Sequence, residues 1–243
     1  MNPTAAMLVI GDEILSGRTR DANMYHLAGR LTEQGIDLSE VRVVSDDPDA
    51  IIRAVNDLRE AFTHVFTSGG IGPTHDDITA DCVAKAFGVG IDVREDARAI
   101  LATNYADPEK EMNEARLRMA RIPDGASLID NPVSKAPGFK IGNVHVMAGV
   151  PSVFEAMVES VLPGLTGGKP LLSKTVRIDR GEGDIAAPLA TIAARYPDAV
   201  IGSYPFQRDG KYGANIVVRS ALGDVLEQAS AEVARLAADL SRD

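Results

Sequence analysis

The segment 67–79, which reads TSGGIGPTHDDIT, constrains the fold of this chain more than any other stretch. It follows the apolar pair Val65-Phe66 and leads into a helical pattern over 78–87, so a strand gives way to a helix across it. In an open α/β sheet, ligands bind at that kind of junction. A tight turn before a capped helix would use the same residues, and composition alone does not separate the two interpretations.

The charges of this segment indicate which kind of ligand it would accept. Its glycines, Gly69, Gly70 and Gly72, allow a backbone to approach a ligand closely, and the free N–H groups of a helix start favour an anion. The adjacent Asp76 and Asp77 would repel a phosphate. Because a metal ion between the carboxylates and the phosphates removes that conflict, the segment predicts a phosphate site that works with a divalent cation.

The bulk composition argues against several classes of protein. The 243 residues suit one large domain, or a medium domain with a small one. A formal net charge of −10 argues against nonspecific nucleic-acid binding and against an anionic membrane surface, and no apolar run reaches the ~20 residues of a membrane span. Only 5% of the residues are aromatic and none is Trp, which argues against a base-stacking surface. The single cysteine, Cys82, favours a reducing compartment, so we expect a cytoplasmic protein.

Apolar periodicity over the first part of the chain predicts alternating strands and helices, and such alternation predicts a parallel sheet with right-handed crossovers. Thr74, three residues before Asp77, has the spacing of a capping box for the helix at 78–87. The predicted elements are, in order, strand 6–10, a helix begun by Asp21 and ended by Gly35, strand 36–44, a helix begun at 46–48, strand 64–67 and helix 78–87.

The rest of the chain predicts a change of architecture. The glycine- and proline-rich stretch 163–170 is the best candidate linker. We therefore expect a domain at 1–166 and a small α+β subdomain at 171–243. The predicted elements are helices at 92–105 and 109–120, a loop at 131–139, a hairpin of 139–141 with 144–147, a helix after 149–152, and then strand 174–179, helix 184–195, pairing strands 199–204 and 214–220, and helix 222–240.

Asp77 and Asp81 lie four residues apart, so both can project from one face of the predicted helix. Asp77 is the stronger candidate for chemistry because it is the nearer of the two to the glycines. A carboxylate there would hold Mg²⁺ against a pyrophosphate or orient an attacking water. Asp76 is a second candidate, although a helix-start charge is equally consistent with its position. His75 adjoins both acids, but this run has no fixed metal-ligand spacing.

Two other loops carry polar residues. Asp12 and Glu13 directly follow the first strand, where they would bind a metal or accept hydrogen bonds from a heterocycle, and acids in such a place are also common helix caps. Lys135 lies in the 131–139 loop, where a phosphate contact and a solvated lysine are equally expected. Cys82 falls in a helical stripe and is interpreted as a small core residue.

Four motifs together resemble one family. Segment 67–79 resembles the signature of molybdopterin-binding domains, in the form found at the N-terminus of competence/damage-inducible proteins of the CinA type. The spacing is kept across residues 5–165, and the tail around 201–205 resembles the small subdomain that follows in those proteins. Residues 11–17, with Asp21, Asn23 and Leu27, resemble the first loop and helix of the family. Asn131-Pro132 with 136–139 resemble its third motif. Residues 149–152 with Met157 resemble its fourth.

The resemblance implies a fold and a pocket. The implied fold is a three-layer α/β/α sandwich with a mostly parallel sheet, followed by the small α+β subdomain. The implied pocket holds a pterin or a nucleotide pyrophosphate, with Asp77 as the catalytic acid residue, Asp76 as its helper, and Asp77 with Asp12 as metal ligands. The ligand-binding positions that the motifs imply are Ser68, Gly69, Gly70, Gly72, Thr74, Gly11, Asp12, Glu13, Asn23, Lys135, Pro137, Gly138, Gly149 and Pro151.

The resemblance also implies activities. Related domains attach AMP to molybdopterin with Mg²⁺ in molybdenum cofactor biosynthesis, CinA-type domains are associated with hydrolysis of ADP-ribose-like pyrophosphates, and a similar domain precedes FAD synthases in eukaryotes. We therefore expect a Mg²⁺-dependent nucleotide pyrophosphatase, with adenylyl transfer to molybdopterin and a non-catalytic binding module as alternatives. The expected partners are a small pterin or nucleotide and, as in many relatives, other copies of the chain, with no nucleic acid and no membrane.

Two departures limit what the resemblance implies. The chain ends at Asp243, before the carboxy-terminal nicotinamide-nucleotide amidase domain of full-length CinA proteins, so that activity is not expected. The third motif reads Ser134-Lys135 where many relatives have Gly-Thr, which weakens the inference of a ligand contact there.

Overall fold

The computed structural model describes residues 2–208 and 210–241 of the chain. Its internal contacts divide the chain into two compact units, residues 1–168 and residues 169–243. Residue 1 of the predicted large domain and residues 209, 242 and 243 of the predicted subdomain lie outside the described residues. Within the described part, no helix has both the length and the apolar character that a bilayer span requires.

The first unit alternates strands and helices, with 3₁₀ turns at Arg118–Ala120 and Leu162–Gly164. Its strands are β1 (Thr4–Ile10), β2 (Asp37–Val44), β3 (His64–Ser68), β4 (Ile91–Val93), β5 (Arg121–Pro123), β6 (Ser127–Ile129), β7 (Gly138–Ile141) and β8 (Val144–Met147). Its helices are α1 (Asp12–Leu15), α2 (Asn23–Glu33), α3 (Pro48–Ala61), α4 (Thr79–Phe87), α5 (Glu95–Ala102), α6 (Pro108–Glu111), α7 (Glu114–Leu117) and α8 (Pro151–Val161).

A six-stranded sheet with the order β2-β1-β3-β8-β7-β6 forms the centre of this unit. Strands β2, β1, β3 and β8 are parallel, whereas β7 is antiparallel to both β8 and β6. The hairpin of β7 and β8 turns at Gly142, which has a φ of 56°. The predicted mostly parallel sheet and the predicted hairpin are therefore confirmed, and the carboxyl ends of the parallel strands meet at one edge.

Alternation along β1 shows how the layers are built. Ala6, Leu8 and Ile10 pack into one core with α3, α4 and α5, while the intervening residues of β1 pack into a second core with α2 and α8. The sheet therefore lies between two helical layers, as the predicted α/β/α sandwich requires. Cys82 is buried in the first core, as predicted, and that burial raises the pKa of its thiol to about 11.

Two predicted helices differ in the structure. The predicted helix 109–120 is interrupted because the backbone leaves the helical region at Met112, where ψ is 69°. The Asn113 side chain then accepts a hydrogen bond from the Arg116 N–H at 2.9 Å and caps the new helix α7. The predicted helix 92–105 begins later, at Glu95, because 91–93 pair with 121–123 as the short strands β4 and β5.

The predicted capping box at Thr74 is wrong. The Asp77 carboxylate does bond back to the Thr74 N–H, but helix α4 begins at Thr79, with Ile78 at the N-cap position. Residues 74–77 therefore form a separate turn, which the chain completes before the helix starts. Asp21, in contrast, accepts a hydrogen bond from the Met24 N–H at 2.9 Å and so acts as a cap at the start of α2.

The second unit has the predicted order β-α-β-β-α. Its antiparallel sheet has the order β10-β11-β9, and α9 and α10 share a core with one face of it. The two pairing strands are longer than predicted, because their hairpin continues to 208 and 211. The elements are β9 (Leu172–Ile178), α9 (Glu182–Arg195), β10 (Val200–Arg208), β11 (Lys211–Ser220) and α10 (Gly223–Leu240).

Candidate functional site

A cavity of about 650 Å³ lies at the carboxyl edge of the parallel strands of the first unit. The loops that follow β1, β2, β3, β6 and β8 supply its walls. Ligands bind at this edge in open α/β sheets, and the volume falls in the range of about 300–1,000 Å³ that is usual for small-molecule sites. The predicted site residues that line the cavity are Gly11, Glu13, Gly69, Gly70, Gly72, Asp76, Asp77, Gly149 and Pro151.

Gly69 and Gly70 are required by the fold itself. Gly69 has a φ of 107°, and a Cβ atom there would collide with the carbonyl oxygen of Ile10. Gly70 has a φ of 69°, and a Cβ atom there would collide with Thr79 Oγ1. Thr79 donates through Oγ1 to the Gly69 carbonyl at 3.0 Å and through its N–H to the Gly70 carbonyl at 2.9 Å. Only glycine fits both positions, whether or not a ligand is bound.

Asp77 has one carboxylate oxygen held and the other free. Its Oδ2 accepts hydrogen bonds from the Thr74 N–H at 2.8 Å and the Thr74 hydroxyl at 2.5 Å. Arg118 Nη2 donates to the backbone carbonyl of Asp77 at 2.9 Å. Within the described chain no hydrogen bond reaches Oδ1. The residue is thus fixed in orientation while it keeps an acceptor for a further group at the cavity wall.

Asp76 lines the same cavity but is less constrained. Its side chain is 62% exposed. The side chain of His75 is 99% exposed, and its Nδ1 lies 3.9 Å from Asp76 Oδ1. The Thr74 side chain, followed by the backbone N–H of Asp76 itself, lowers the pKa of the Asp76 carboxyl below its ordinary value. Asp76 is therefore ionised at neutral pH. The structure places both acids at the cavity, whereas His75 is outside its lining.

Asn23 and Ser68 connect loops and do not line the cavity. Asn23 is buried, and its Nδ2 donates to Ser68 Oγ at 2.7 Å and to the Gly149 carbonyl at 2.8 Å. These bonds tie the start of α2 to the ends of β3 and β8. Gly149 in turn packs against Gly69, because a Cβ atom on Gly149 would lie 3.2 Å from the Gly69 Cα. Asn23 and Ser68 thus fix the loops that contain Gly69 and Gly149 without lining the cavity themselves.

Asp12 and Glu13 face different surroundings although they are adjacent. Glu13 lines the cavity, whereas Asp12 lines only a shallow surface depression beside it. The Asp12 N–H donates to Asp46 Oδ2 at 2.9 Å, and Asp46 lines the cavity. The structure therefore does not bring Asp12 and Asp77 to one cavity, and it supplies Asp46 as an acid that the sequence analysis missed.

The third loop is organised by Asn131, which is buried. Its Nδ2 donates to Ser134 Oγ at 2.7 Å and to the Ala136 carbonyl at 2.8 Å, and all three of these residues line the cavity. Lys135, between them, does not. Pro137 lines a smaller neighbouring cavity, and Gly138 is packed so closely that a Cβ atom would collide with Met157 and the Val146 carbonyl.

Lys135 has a φ of 59°, in the left-handed region that residues with a side chain rarely adopt. We expect Lys135→Gly to raise the free energy of unfolding by about 0.5–1 kcal/mol, because glycine removes the steric cost of that φ. Urea denaturation at neutral pH measures the change. Lys135→Ala keeps the strain and serves as the control. A Gly variant that is no more stable than the Ala variant would contradict the prediction.

Two residues near the site carried different signals in the sequence. Asp46 lies two residues after β2, so its position at the carboxyl end of a predicted strand was a usable signal. Arg118 lies in the segment that was predicted as one continuous helix, and nothing in the sequence pattern connected it with Asp77. Thr74 was predicted as a ligand residue, but its hydroxyl is bonded to Asp77 and it is outside the cavity lining.

The cavity wall is acidic. Glu13, Asp46, Asp76 and Asp77 line it, and none of its described lining residues is Lys, Arg or His. In the part of the chain that the structure describes, no three His, Cys, Asp or Glu side chains are grouped to hold a metal ion. Mg²⁺ is usually held by one or two carboxylates together with substrate phosphates and water, and these oxygen donors fit that mode of binding.

Comparison with known families gives a match for each unit. Residues 6–167 match a family model described as "Probable molybdopterin binding domain". Residues 170–241 match a model described as "FAD synthase, middle domain".

Individual relatives agree with these matches. A crystal structure of the protein CinA, of unknown function, from Thermoplasma acidophilum is 35% identical, covers 67% of this chain and 97% of that chain, and has a TM-score of 0.62. A "Probable FAD synthase" of Caenorhabditis elegans is 32% identical over 92% of this chain and 48% of its own length. The corresponding protein of Caenorhabditis briggsae is 30% identical over 92% and 47%. The chain therefore spans about half the length of these curated relatives.

Proposed function

The chain belongs to the molybdopterin-binding domain family, and from that premise we propose that it is a divalent-metal-dependent hydrolase of nucleotide pyrophosphates of the ADP-ribose or FAD type. The hydrolysis would take place in the cavity at the carboxyl edge of the sheet. Water would split the bond between the two phosphates and leave two monophosphates.

One observation carries this proposal: the wall of the cavity has four carboxylic acid side chains and, among its described lining residues, no Lys, Arg or His. Such a wall would repel a free pyrophosphate. A purely apolar ligand would cover the carboxylates without giving them a charged or hydrogen-bonding partner, which costs free energy. A pyrophosphate that enters together with a divalent cation satisfies both conditions. The glycine loop beside these acids lets the ligand come close to the backbone.

Asp77 would be the catalytic residue in this proposal. Thr74 holds its Oδ2, so Oδ1 is available to accept a proton from the attacking water. The water oxygen bonds to one phosphorus, the bond from that phosphorus to the bridging oxygen breaks, and the departing monophosphate keeps the bridging oxygen. Thr74 is then a positioning residue, because it acts on the reaction only through Asp77.

Asp76, which is ionised and exposed, would hold the cation, with Glu13 or Asp46 as a second ligand on the same wall. A bound cation would neutralise charge that builds on the phosphate oxygens as the bond breaks. The sequence prediction of Asp12 as a metal ligand is not included in the proposal, since Asp12 does not line the cavity.

The names of the relatives support the choice of substrate. Two relatives are named as probable FAD synthases, and the second unit matches a domain of FAD synthase. FAD and ADP-ribose share a pyrophosphate attached to adenosine, so one cavity that recognises metal-bound pyrophosphate would accept either.

The test is incubation of the purified protein with ADP-ribose or FAD in the presence of Mg²⁺, Mn²⁺ or Co²⁺. We expect release of AMP that depends on the added metal and stops when a chelator is added. No product from any of these combinations would exclude the proposed hydrolysis.

Two further outcomes would point to the alternatives. Pyrophosphate released from ATP only when molybdopterin is present would indicate adenylyl transfer, which is consistent with the ligand named in the family description. A raised melting temperature with a nucleotide or pterin, without any product, would indicate a binding module, because a ligand that binds the folded state stabilises it.

A further inference from the structure

Arg118 has a guanidinium nitrogen that is buried without a partner. Its Nη2 donates to the Asp77 carbonyl at 2.9 Å, but its Nε is buried and makes no hydrogen bond in the described chain. Buried polar groups are nearly always paired, because an unpaired donor loses its bonds to water. Arg121, three residues on, shows the usual situation: its two terminal nitrogens bind both carboxylate oxygens of Asp81 at 2.7 Å each.

A cavity of about 20 Å³ lies beside these groups. Asp77, Asp81, Arg118 and Arg121 are among its lining residues, and Asp77 also lines the large cavity. A cavity needs about 10–15 Å³ on this scale to hold one water molecule, and such a water needs two to four polar partners. The space is therefore suited to a single water and is too small for a substrate.

We propose that this small cavity is a water-binding site and that Arg118 is a positioning residue for Asp77. In this arrangement one water molecule accepts a hydrogen bond from Arg118 Nε and donates one to the Asp77 carboxylate. Arg118 then holds Asp77 twice, directly at its backbone carbonyl and through the water at its side chain. The part about catalysis rests on the proposed function, whereas the water site itself does not.

The arrangement has a specific kinetic consequence. Arg118 is absent from the lining of the large cavity, so it orients Asp77 without touching a bound substrate. Its removal should lower kcat and leave KM nearly unchanged. We expect Arg118→Met to lower kcat by about 10- to 100-fold, which is the usual effect of losing a group that orients a site residue. Arg118→Lys keeps a charged donor and should recover part of that loss.

Arg121→Met is the matched control. It removes an arginine from the same small cavity and breaks the ion pair with Asp81, so it should lower stability. It should not reproduce the loss of kcat in Arg118→Met. Equal kcat losses in the two variants, or a KM that rises when Arg118 is replaced, would overturn the positioning role. The second result would show that Arg118 contacts the substrate.

A crystal structure at high resolution, determined without ligand, tests the water site independently of any activity. We expect one ordered water within hydrogen-bonding distance of both Arg118 Nε and the Asp77 carboxylate in the wild type, and its loss in Arg118→Met. A wild-type structure without a water in contact with both groups would overturn the proposed site. If the water is found but the wild type hydrolyses no pyrophosphate, the proposed function fails and the water site stands.

Discussion

Asp77→Asn is expected to lower kcat for pyrophosphate hydrolysis by about 10²- to 10⁴-fold, which is the contribution that a positioned general base usually makes. Asparagine has nearly the same size, and its oxygen can still accept the hydrogen bonds that Thr74 donates to Asp77 in the wild type. The loop should therefore keep its shape, while the residue loses the charge with which it accepts a proton. Steady-state release of AMP from ADP-ribose or FAD measures the effect.

Asp76→Asn is the comparison that makes this prediction specific. Asp76 lies on the same wall and carries the same charge, but its side chain is 62% exposed. Its replacement should raise the metal concentration needed for half-maximal rate and should lower kcat at saturating metal less than Asp77→Asn does. Full activity in Asp77→Asn, with an unchanged melting temperature, would remove Asp77 from the mechanism.

The sequence predicted the fold well because its signals were local. The run 6–10 predicted a buried strand, and the structure buries all of β1 except its first residue. The Gly142-Asn143 pair predicted the hairpin turn, which needs a positive φ at its first residue. The short strands β4, β5 and β6 were missed, since three residues are too few to show a period.

The candidate site could be predicted where its residues lie in the loops between a predicted strand and the next helix. Gly11, the glycines of 69–72, Asp76, Asp77 and Gly149 occupy such loops and line the cavity. Arg118 comes close to Asp77 only through a contact between residues 41 apart in the chain. A single sequence contains no record of such contacts.

The glycines also acquire a different meaning in the structure. The sequence predicts that Gly69 and Gly70 let the protein backbone approach a ligand closely. In the structure, the groups that exclude a side chain at these positions are Ile10 and Thr79. The glycines are therefore explained by close packing against the end of β1 and the start of α4, and the stronger argument for a ligand is the acidic wall beside them.

His145→Leu is expected to make the first unit more resistant to acid. His145 lies within β8, is 1% exposed and stacks on Phe66 with ring centroids 4.9 Å apart. Neither ring nitrogen has a hydrogen-bond partner in the described chain. Burial is the main reason that the pKa of His145 is lowered to about 3, and the positive charge of Lys140 and the nearby His64 contribute to that lowering.

The sign of the pH dependence follows from that lowered pKa. In the unfolded chain His145 binds a proton below about pH 6.5, whereas in the folded chain it stays neutral until about pH 3. Its contribution to stability is therefore complete above pH 6.5 and is lost as the pH falls towards 3, at about 1.4 kcal/mol per pH unit. Between pH 7.5 and 4.5 the wild type should lose about 2–3 kcal/mol more than His145→Leu.

Urea unfolding at the two pH values, followed by far-UV circular dichroism, measures this difference, and hydrogen exchange of the β3 and β8 amides assigns the transition to the first unit. At pH 7.5 the variant should be at least as stable as the wild type, because leucine removes two unpaired ring nitrogens from the core. His75→Leu is the control, since a histidine that is 99% exposed contributes no burial penalty. Equal losses of stability in the wild type and in His145→Leu would show that another group controls the acid response of this unit. The carboxylates and His64 respond to the same pH change, but the wild type and His145→Leu both contain them. The difference between the two proteins in the stability lost is therefore due to the buried ring of His145.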